Sequence, residues 1–334
     1  MKTRSAILAL LASVALAWSG GAAAQAASAP APAPAASAPA KAKKVNPNLP
    51  YSEKGADTCL GCHDEEADSL TFTTAGVFKT RHAHRGDARG PFGPGKLQCE
   101  ACHGPAGRHA ADGKEIDTIN SLKANSKLPV EKRNEPCLDC HQGNARTAWH
   151  AGAHDRERLA CTDCHRLHVE RDAVLAKTSE PEVCLRCHNK QRADFQKASS
   201  HPVRHGRMGC SDCHSAHGSA SASTLNKPTV NQTCYSCHAD KRGPLLWEHA
   251  PVAEDCTLCH SSHGSVRAAL LTKSPPLLCQ QCHSVAGHPA VARTGAALPG
   301  GAGGGQIFLL AGSCTNCHSQ VHGSNHPAGA KLMR

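Results

Sequence analysis

All twenty cysteines of this 334-residue chain fall in ten Cys-x-x-Cys-His blocks, with none left over. The blocks begin at Cys59, Cys99, Cys137, Cys161, Cys184, Cys210, Cys234, Cys256, Cys279 and Cys314. Their second cysteines are Cys62, Cys102, Cys140, Cys164, Cys187, Cys213, Cys237, Cys259, Cys282 and Cys317. Each second cysteine is followed at once by a histidine: His63, His103, His141, His165, His188, His214, His238, His260, His283 and His318. Zinc sites also use paired cysteines, but a tetrahedral zinc site does not need a histidine after each second cysteine. A disulfide scaffold leaves all ten histidines unexplained as well. The chemistry that needs all three residues is c-type haem attachment, in which two thiols bond the vinyl groups and the histidine is the proximal iron ligand. The expected cofactors are therefore ten covalent haems.

Six-coordinate iron at every site would need ten more ligands. Methionine is too scarce, at Met1, Met208 and Met333, whereas 24 histidines less the ten in blocks leave fourteen. The first cysteines of successive blocks lie 40, 38, 24, 23, 26, 24, 22, 23 and 35 residues apart, so the middle of the chain repeats every 45 to 50 residues, about two blocks. Within each repeat an aromatic residue and a histidine precede one block, and a histidine follows it. Trp149, His154 and His168 flank the Cys161 block; Phe195, His201 and His217 flank the Cys210 block; Trp247, His249 and His263 flank the Cys256 block. The outer repeats are looser, with Phe78, His82 and His109 around the Cys99 block and His288 and His322 around the last. These ten extra histidines are the expected distal ligands. The spare ones, His84, His150, His205 and His326, are expected at the surface or against haem propionates. His84 competes with His82 and His326 with His322, and the spacing does not say which distal histidine serves which block. Histidine on both faces gives lower potentials than Met/His ligation and leaves no open iron position.

Lys2 and Arg4 precede an apolar run from Ala6 to Trp18 and small residues to Ala26, the pattern of a signal peptide over 1–26. Residues 27–50 are rich in Ala and Pro and end in Lys41, Lys43 and Lys44, a linker composition. Residues 51–334 are then the haem domain, expected as five two-haem modules. The formal charge of +10 would ordinarily suggest nucleic acid. Ten haems, however, bring about twenty propionate charges, for which many of the 37 Lys and Arg would serve as partners, so no nucleic-acid role is expected. Aromatics make up 3% of the chain, too few for an ordinary core. The expected fold class is thus a multihaem cytochrome c: elongated, mostly irregular, with short α-helices, little or no β-sheet and a core supplied by haem. The aromatics before the distal histidines are expected to pack against haem faces. Pro299 to Gly305 lacks the Gly-Lys-Ser/Thr ending of a phosphate loop and reads as a flexible loop.

Cys-Glu-Ala-Cys-His-Gly-Pro at 99–105 and Cys-Thr-Asn-Cys-His-Ser-Gln-Val-His-Gly-Ser-Asn-His-Pro from 314, with ten blocks and a leader, resemble the MtrA/DmsE family of periplasmic decahaem cytochromes, PioA and MtoA types included. The resemblance runs from about residue 51 to the end; the Ala/Pro-rich leader is not a general family feature. It implies a haem wire in an outer-membrane β-barrel of the MtrB type, with bis-histidine iron. It also implies a periplasmic or inner-membrane cytochrome on one side and an extracellular multihaem cytochrome, mineral or metal on the other. Members serve metal reduction, iron oxidation or reduction of external dimethyl sulfoxide. Two other readings remain at this point: a soluble periplasmic shuttle, and a multihaem reductase of a small molecule such as nitrite. An enzyme would need an open iron position, marked by a variant block or a missing ligand, and the sequence shows neither.

Overall fold

The computed structural model describes residues 50–64, 74–114, 116–143, 146–284 and 313–334. The signal-peptide segment, all of the linker but Pro50, the glycine-rich loop at 299–305 and His288 lie outside them. The structure is a run of short helical pieces joined by turns. The longest described helix, Val130–Leu138, has nine residues, and pairing between extended segments is confined to isolated bridges such as Ser199 with Ser265 and Trp247 with Ser324. Among the described residues this is the mostly irregular architecture, without a sheet, expected of a multihaem cytochrome c.

The block itself dictates the commonest local structure. In all ten, the histidine N–H donates to the first cysteine's carbonyl, from 2.8 Å at His141 to 3.1 Å at His188. That bond closes one helical turn. Positions i, i+3 and i+4 of a turn share a face, so both thiols and the imidazole project to the same side. Five blocks start at or near the end of a short α-helix, as in Val130–Leu138, Glu180–Cys184 and Val230–Tyr235. Their successors start a fresh turn, as in Cys161–Cys164 or Cys256–Leu258.

A new turn exposes backbone N–H groups that lack an intrahelical acceptor. Here they are satisfied from the preceding block. Asn134 accepts from Cys161 N at 2.8 Å and donates to Leu159 O at 3.2 Å. Asn231 accepts from Cys256 N at 2.8 Å and donates to Val252 O and Ala253 O. Glu180 accepts from Ser211 N at 2.8 Å and from its hydroxyl at 3.1 Å. In the first pair of blocks the direction is reversed: Gln98, just before the second block, accepts from Ala56 N at 2.7 Å at the start of the first block's helix, and Glu100 accepts from Ser52 and from Ala106 N. Glu100, Asn134, Glu180 and Asn231 are all buried. Arg133 adds an ion pair to Asp163 at 3.1 Å, tying the Cys137 helix to the Cys161 turn.

Apolar burial by side chains is slight. Among the described residues the buried hydrophobics are Ala56, Phe92, Ala106, Trp149, Ala160, Phe195 and Val203, and no large side chain is fully enclosed. Buried polar brackets therefore carry weight out of proportion to their number. Asn231→Ala orphans the half-buried Cys256 N–H and is expected to cost the holoprotein about 1–3 kcal/mol. Lys132→Ala breaks only the exposed pair to Glu135 and is expected to cost under about 0.5 kcal/mol. Guanidinium titration of the two variants with intact haem content checks the difference.

Candidate haem-binding sites

The first cysteines join the blocks in twos. Cys59 lies beside Cys99, Cys137 beside Cys161, Cys184 beside Cys210, Cys234 beside Cys256 and Cys279 beside Cys314. The second cysteines then carry the sequence of neighbours from pair to pair. Cys102 lies within electrostatic reach of Cys140, Cys164 of Cys184 and Cys187, Cys213 of Cys237, and Cys259 of Cys282. Every block is thus adjacent to the next, in chain order, from the first to the tenth.

Nine of the block histidines face a histidine from elsewhere among the described residues. The ring centroids are 6.1 Å apart for His63 and His109, 6.1 Å for His103 and His168, and 5.9 Å for His141 and His82. They are 6.1 Å apart for His165 and His217, 6.1 Å for His188 and His154, and 6.0 Å for His214 and His263. The remaining pairs are His238 with His201 at 6.3 Å, His283 with His249 at 6.0 Å, and His260 with His322 at 6.1 Å. Two metal–imidazole bonds of about 2.0 Å and two ring radii of about 1.1 Å add to about 6.2 Å, so these gaps fit one iron between two imidazoles. The tenth block histidine is His318; His288, an expected distal ligand that belongs to none of these nine pairs, lies outside the described residues.

Ring orientation is fixed behind the metal-facing nitrogen. Nδ1 hydrogen-bonds a backbone carbonyl in His103 (Asn120, 3.1 Å), His214 (Ser223, 2.8 Å), His260 (Ala269, 2.7 Å) and His318 (Lys331, 2.7 Å). It does the same in His154 (Ala216, 2.8 Å), His201 (Ser262, 2.7 Å) and His249 (Val321, 2.8 Å). A proton held on Nδ1 leaves the Nε2 lone pair for metal. Burial pushes His103, His141, His168, His217, His263 and His322 below the usual imidazole range, which favours the neutral, ligating form. Arg133 Nε, Arg146 Nε and Trp149 Nε1 are buried donors without a partner among the described residues, and a propionate carboxylate is an acceptor that suits them.

Two devices here were not anticipated. Ser223 and Ala269 sit in left-handed backbone, at φ 52° and 54°, and the same two turns aim their carbonyls at His214 and His260. Left-handed non-glycine residues cost free energy, here tied to ring placement. The other device is a His-Gly step at His217-Gly218, His263-Gly264 and His322-Gly323. A Cβ on Gly218 would run into Ala148 O, one on Gly264 into Asp194 O, and one on Gly323 into the Leu245 side chain, so only glycine lets these segments close on the preceding repeat. The recurring Ser-Ala-His-Gly-Ser and Ser-Ser-His-Gly-Ser at 215–219 and 261–265 were a readable signal for it. Trp149 and Phe195, next to those contacts, set their rings against His217 and His263, at 6.3 and 5.7 Å between centroids.

Among the spare histidines, His326 uses Nδ1 to accept from Ala328 N, so its neutral ring carries the proton on Nε2. No ring contact of His84, His150, His205 or His326 with a block histidine is found among the described residues, whereas His82, His201 and His322 each have one.

Comparison with known proteins places the chain in a family. The chain is 50% identical over 284 residues to multiheme cytochrome MtrA of Shewanella baltica (strain OS185), an overlap of 85% of this chain and 83% of the relative. The chain belongs to the MtrA family of multihaem cytochromes. Residues 99–181 also match the family of NrfB-like cytochrome c-type proteins, and residues 201–243 and 249–288 match the doubled CXXCH motif. The chain accordingly binds c-type haem covalently through CXXCH blocks, and the protein is a multihaem electron-transfer cytochrome. His201→Met is expected to raise the potential of the Cys234 site alone, and His205→Ala to leave the spectrum unchanged. A potentiometric titration of both variants checks the pair.

Proposed function

We propose that this chain is a periplasmic decahaem conduit that carries electrons across the outer membrane from inside a β-barrel of the MtrB type. The observation that carries this reading is the unbroken adjacency of all ten blocks, together with a second histidine opposite nine of the ten block histidines. Bound haem supplies a one-electron Fe(III)/Fe(II) couple at each block. The protein's own part is to fix each site beside the next through its cysteines and to fill both axial positions with histidine. It also holds those rings through their Nδ1 bonds, so that little rearranges when the charge changes. His288, the remaining expected distal ligand, would complete the site of His318. Sites with no open position transfer electrons and do not bind a substrate, so the protein is not an enzyme.

The membrane argument is physical. A hydrocarbon layer of about 30 Å separates the two aqueous phases. No helix among the described residues is long and apolar enough to cross it. Irregular polar backbone can sit at that depth only inside a protein shield, which a barrel provides. Residues 1–26 would export the chain, with 27–50 as a linker. Donor and acceptor are a periplasmic or inner-membrane cytochrome and an extracellular cytochrome, mineral or metal, with the direction set by their potentials.

Ten haems per chain, all low-spin, are expected from haem quantitation and paramagnetic resonance; a stoichiometric high-spin signal would overturn the bis-histidine reading and favour a reductase. The ring angles refine this expectation. Near-parallel pairs such as His165–His217 at 5° and His260–His322 at 13° split the iron d orbitals and give rhombic signals. The crossed His103–His168 pair, at 90°, gives a signal with a large maximal g value.

The conduit itself is tested with Cys184→Ala/Cys187→Ala, which removes one central attachment. In liposomes carrying the barrel complex, the wild type should let an external oxidant bleach an enclosed reduced dye, and the variant should be severely slowed. The variant is first shown to be folded and barrel-bound, because haem binding is also folding energy. Undiminished transfer would point instead to a soluble shuttle.

A further inference from the structure

In the second block of each pair the histidine has a fixed kind of partner, with one exception. His103, His214, His260 and His318 all donate Nδ1–H to a peptide carbonyl. His165 instead meets the Asp172 carboxylate, Nδ1 to Oδ2, at 2.7 Å. Asp172 is well enclosed, with 9% of its side chain exposed, and its other oxygen accepts from Arg166 N at 3.2 Å. No Lys or Arg side chain pairs with it among the described ion pairs, so its charge is not offset there. The local chain explains the change. After the sixth and eighth blocks a left-handed residue nine positions past the histidine presents its carbonyl, whereas after the fourth block an aspartate seven positions on starts the turn Ala173–Leu175 and takes the same place behind the ring.

We propose that Asp172 is a positioning residue that makes the fourth site more reducing than the equivalent sixth and eighth sites; the inference rests on the axial-ligand reading given above. A carboxylate pulls harder on the Nδ1 proton than a neutral carbonyl does, because the hydrogen bond is charge-assisted. His165 thereby gains imidazolate character and becomes a stronger donor to iron. Fe(III) carries one more positive charge than Fe(II), so both the stronger donor and the nearby negative charge favour the oxidised state. Hydrogen bonding around the ligands and local charge are general means of setting haem potential. Reduction of the site takes one electron from a neighbouring site; the proton stays between Nδ1 and Oδ2, and no bond breaks. An electron moving through the chain then meets an uphill step at the fourth block.

Asp172→Asn keeps the shape and an acceptor oxygen but removes the charge. In a potentiometric titration of the full haem-loaded protein, one tenth of the haem absorbance should move to higher potential while the rest stays in place. The resonance signal from the near-parallel His165–His217 pair should change with it. Glu170→Gln, which removes an exposed charge paired with Lys79 two residues away, should move nothing. A titration of Asp172→Asn that superimposes on the wild type, with ten low-spin haems still present, would overturn the proposal, as would an equal shift in Glu170→Gln. If Asp172→Asn fails to mature, the wild type still decides: one rhombic signal must show the narrower g spread of a site with imidazolate character, and its absence overturns the idea. A high-spin wild type would instead defeat the ligation reading itself, an outcome distinct from all of these.

Discussion

The spacing of two imidazoles across one iron is the constraint on which this structure turns. That gap is about 6.2 Å between ring centres, and the nine described pairs hold it within 5.9–6.3 Å. A block can supply only one of the two rings, because its own turn commits the cysteines and histidine to one face. The second ring has to come from another part of the chain. His103 takes it from 168, His165 from 217, His214 from 263 and His260 from 322, all downstream. His141, His188, His238 and His283 take theirs from upstream, at 82, 154, 201 and 249. Neighbouring repeats are therefore sewn together in both directions.

The rest of the protein serves that requirement with polar groups, not with a packed apolar interior. His154, His201 and His249 donate to the carbonyls of Ala216, Ser262 and Val321, each the residue just before the next repeat's opposing histidine. A shift in one ring is thus transmitted directly to the peptide that carries another. Asn134, Glu180 and Asn231 do comparable work inside a pair of blocks, where they cap the second turn from the first. Hydrogen bonds are directional and hold position within tenths of an ångström. Dispersion among a handful of Ala, Phe and Val side chains would hold it less closely.

Much of this could be read from residue order because the chemistry of attachment is written in contiguous residues. The ten blocks, the irregular fold and the choice of His82, His201 and His322 over His84, His205 and His326 as the histidines that face blocks follow from spacing within about one repeat. The crossing of partners between repeats did not follow, since nothing local distinguishes a ring that reaches back from one that reaches forward. The brackets by Asn134 and Asn231 were hidden for a related reason: an Asn three residues before a block is unremarkable until its backbone partner some 25 residues on is known. Carbonyl partners such as Ser223 and Ala269 are invisible in principle, because every residue has a carbonyl and only the left-handed backbone aims these two. Asp172 had a side-chain signature, but one meaningful only against the carbonyls used at the equivalent sites.

Cross-repeat pairing also bears on how a chain of this kind can lengthen over evolutionary time. An inner repeat lends one ring forward and one ring back, and it borrows one from each neighbour. A copy spliced between two inner repeats keeps every loan matched, because it gives and receives on both sides. A copy added before the first block does not, since that block follows a different rule: His63 draws on His109, downstream, where the later odd-numbered blocks draw upstream. The first block thus behaves as a cap, and a new repeat fits most readily between two inner ones.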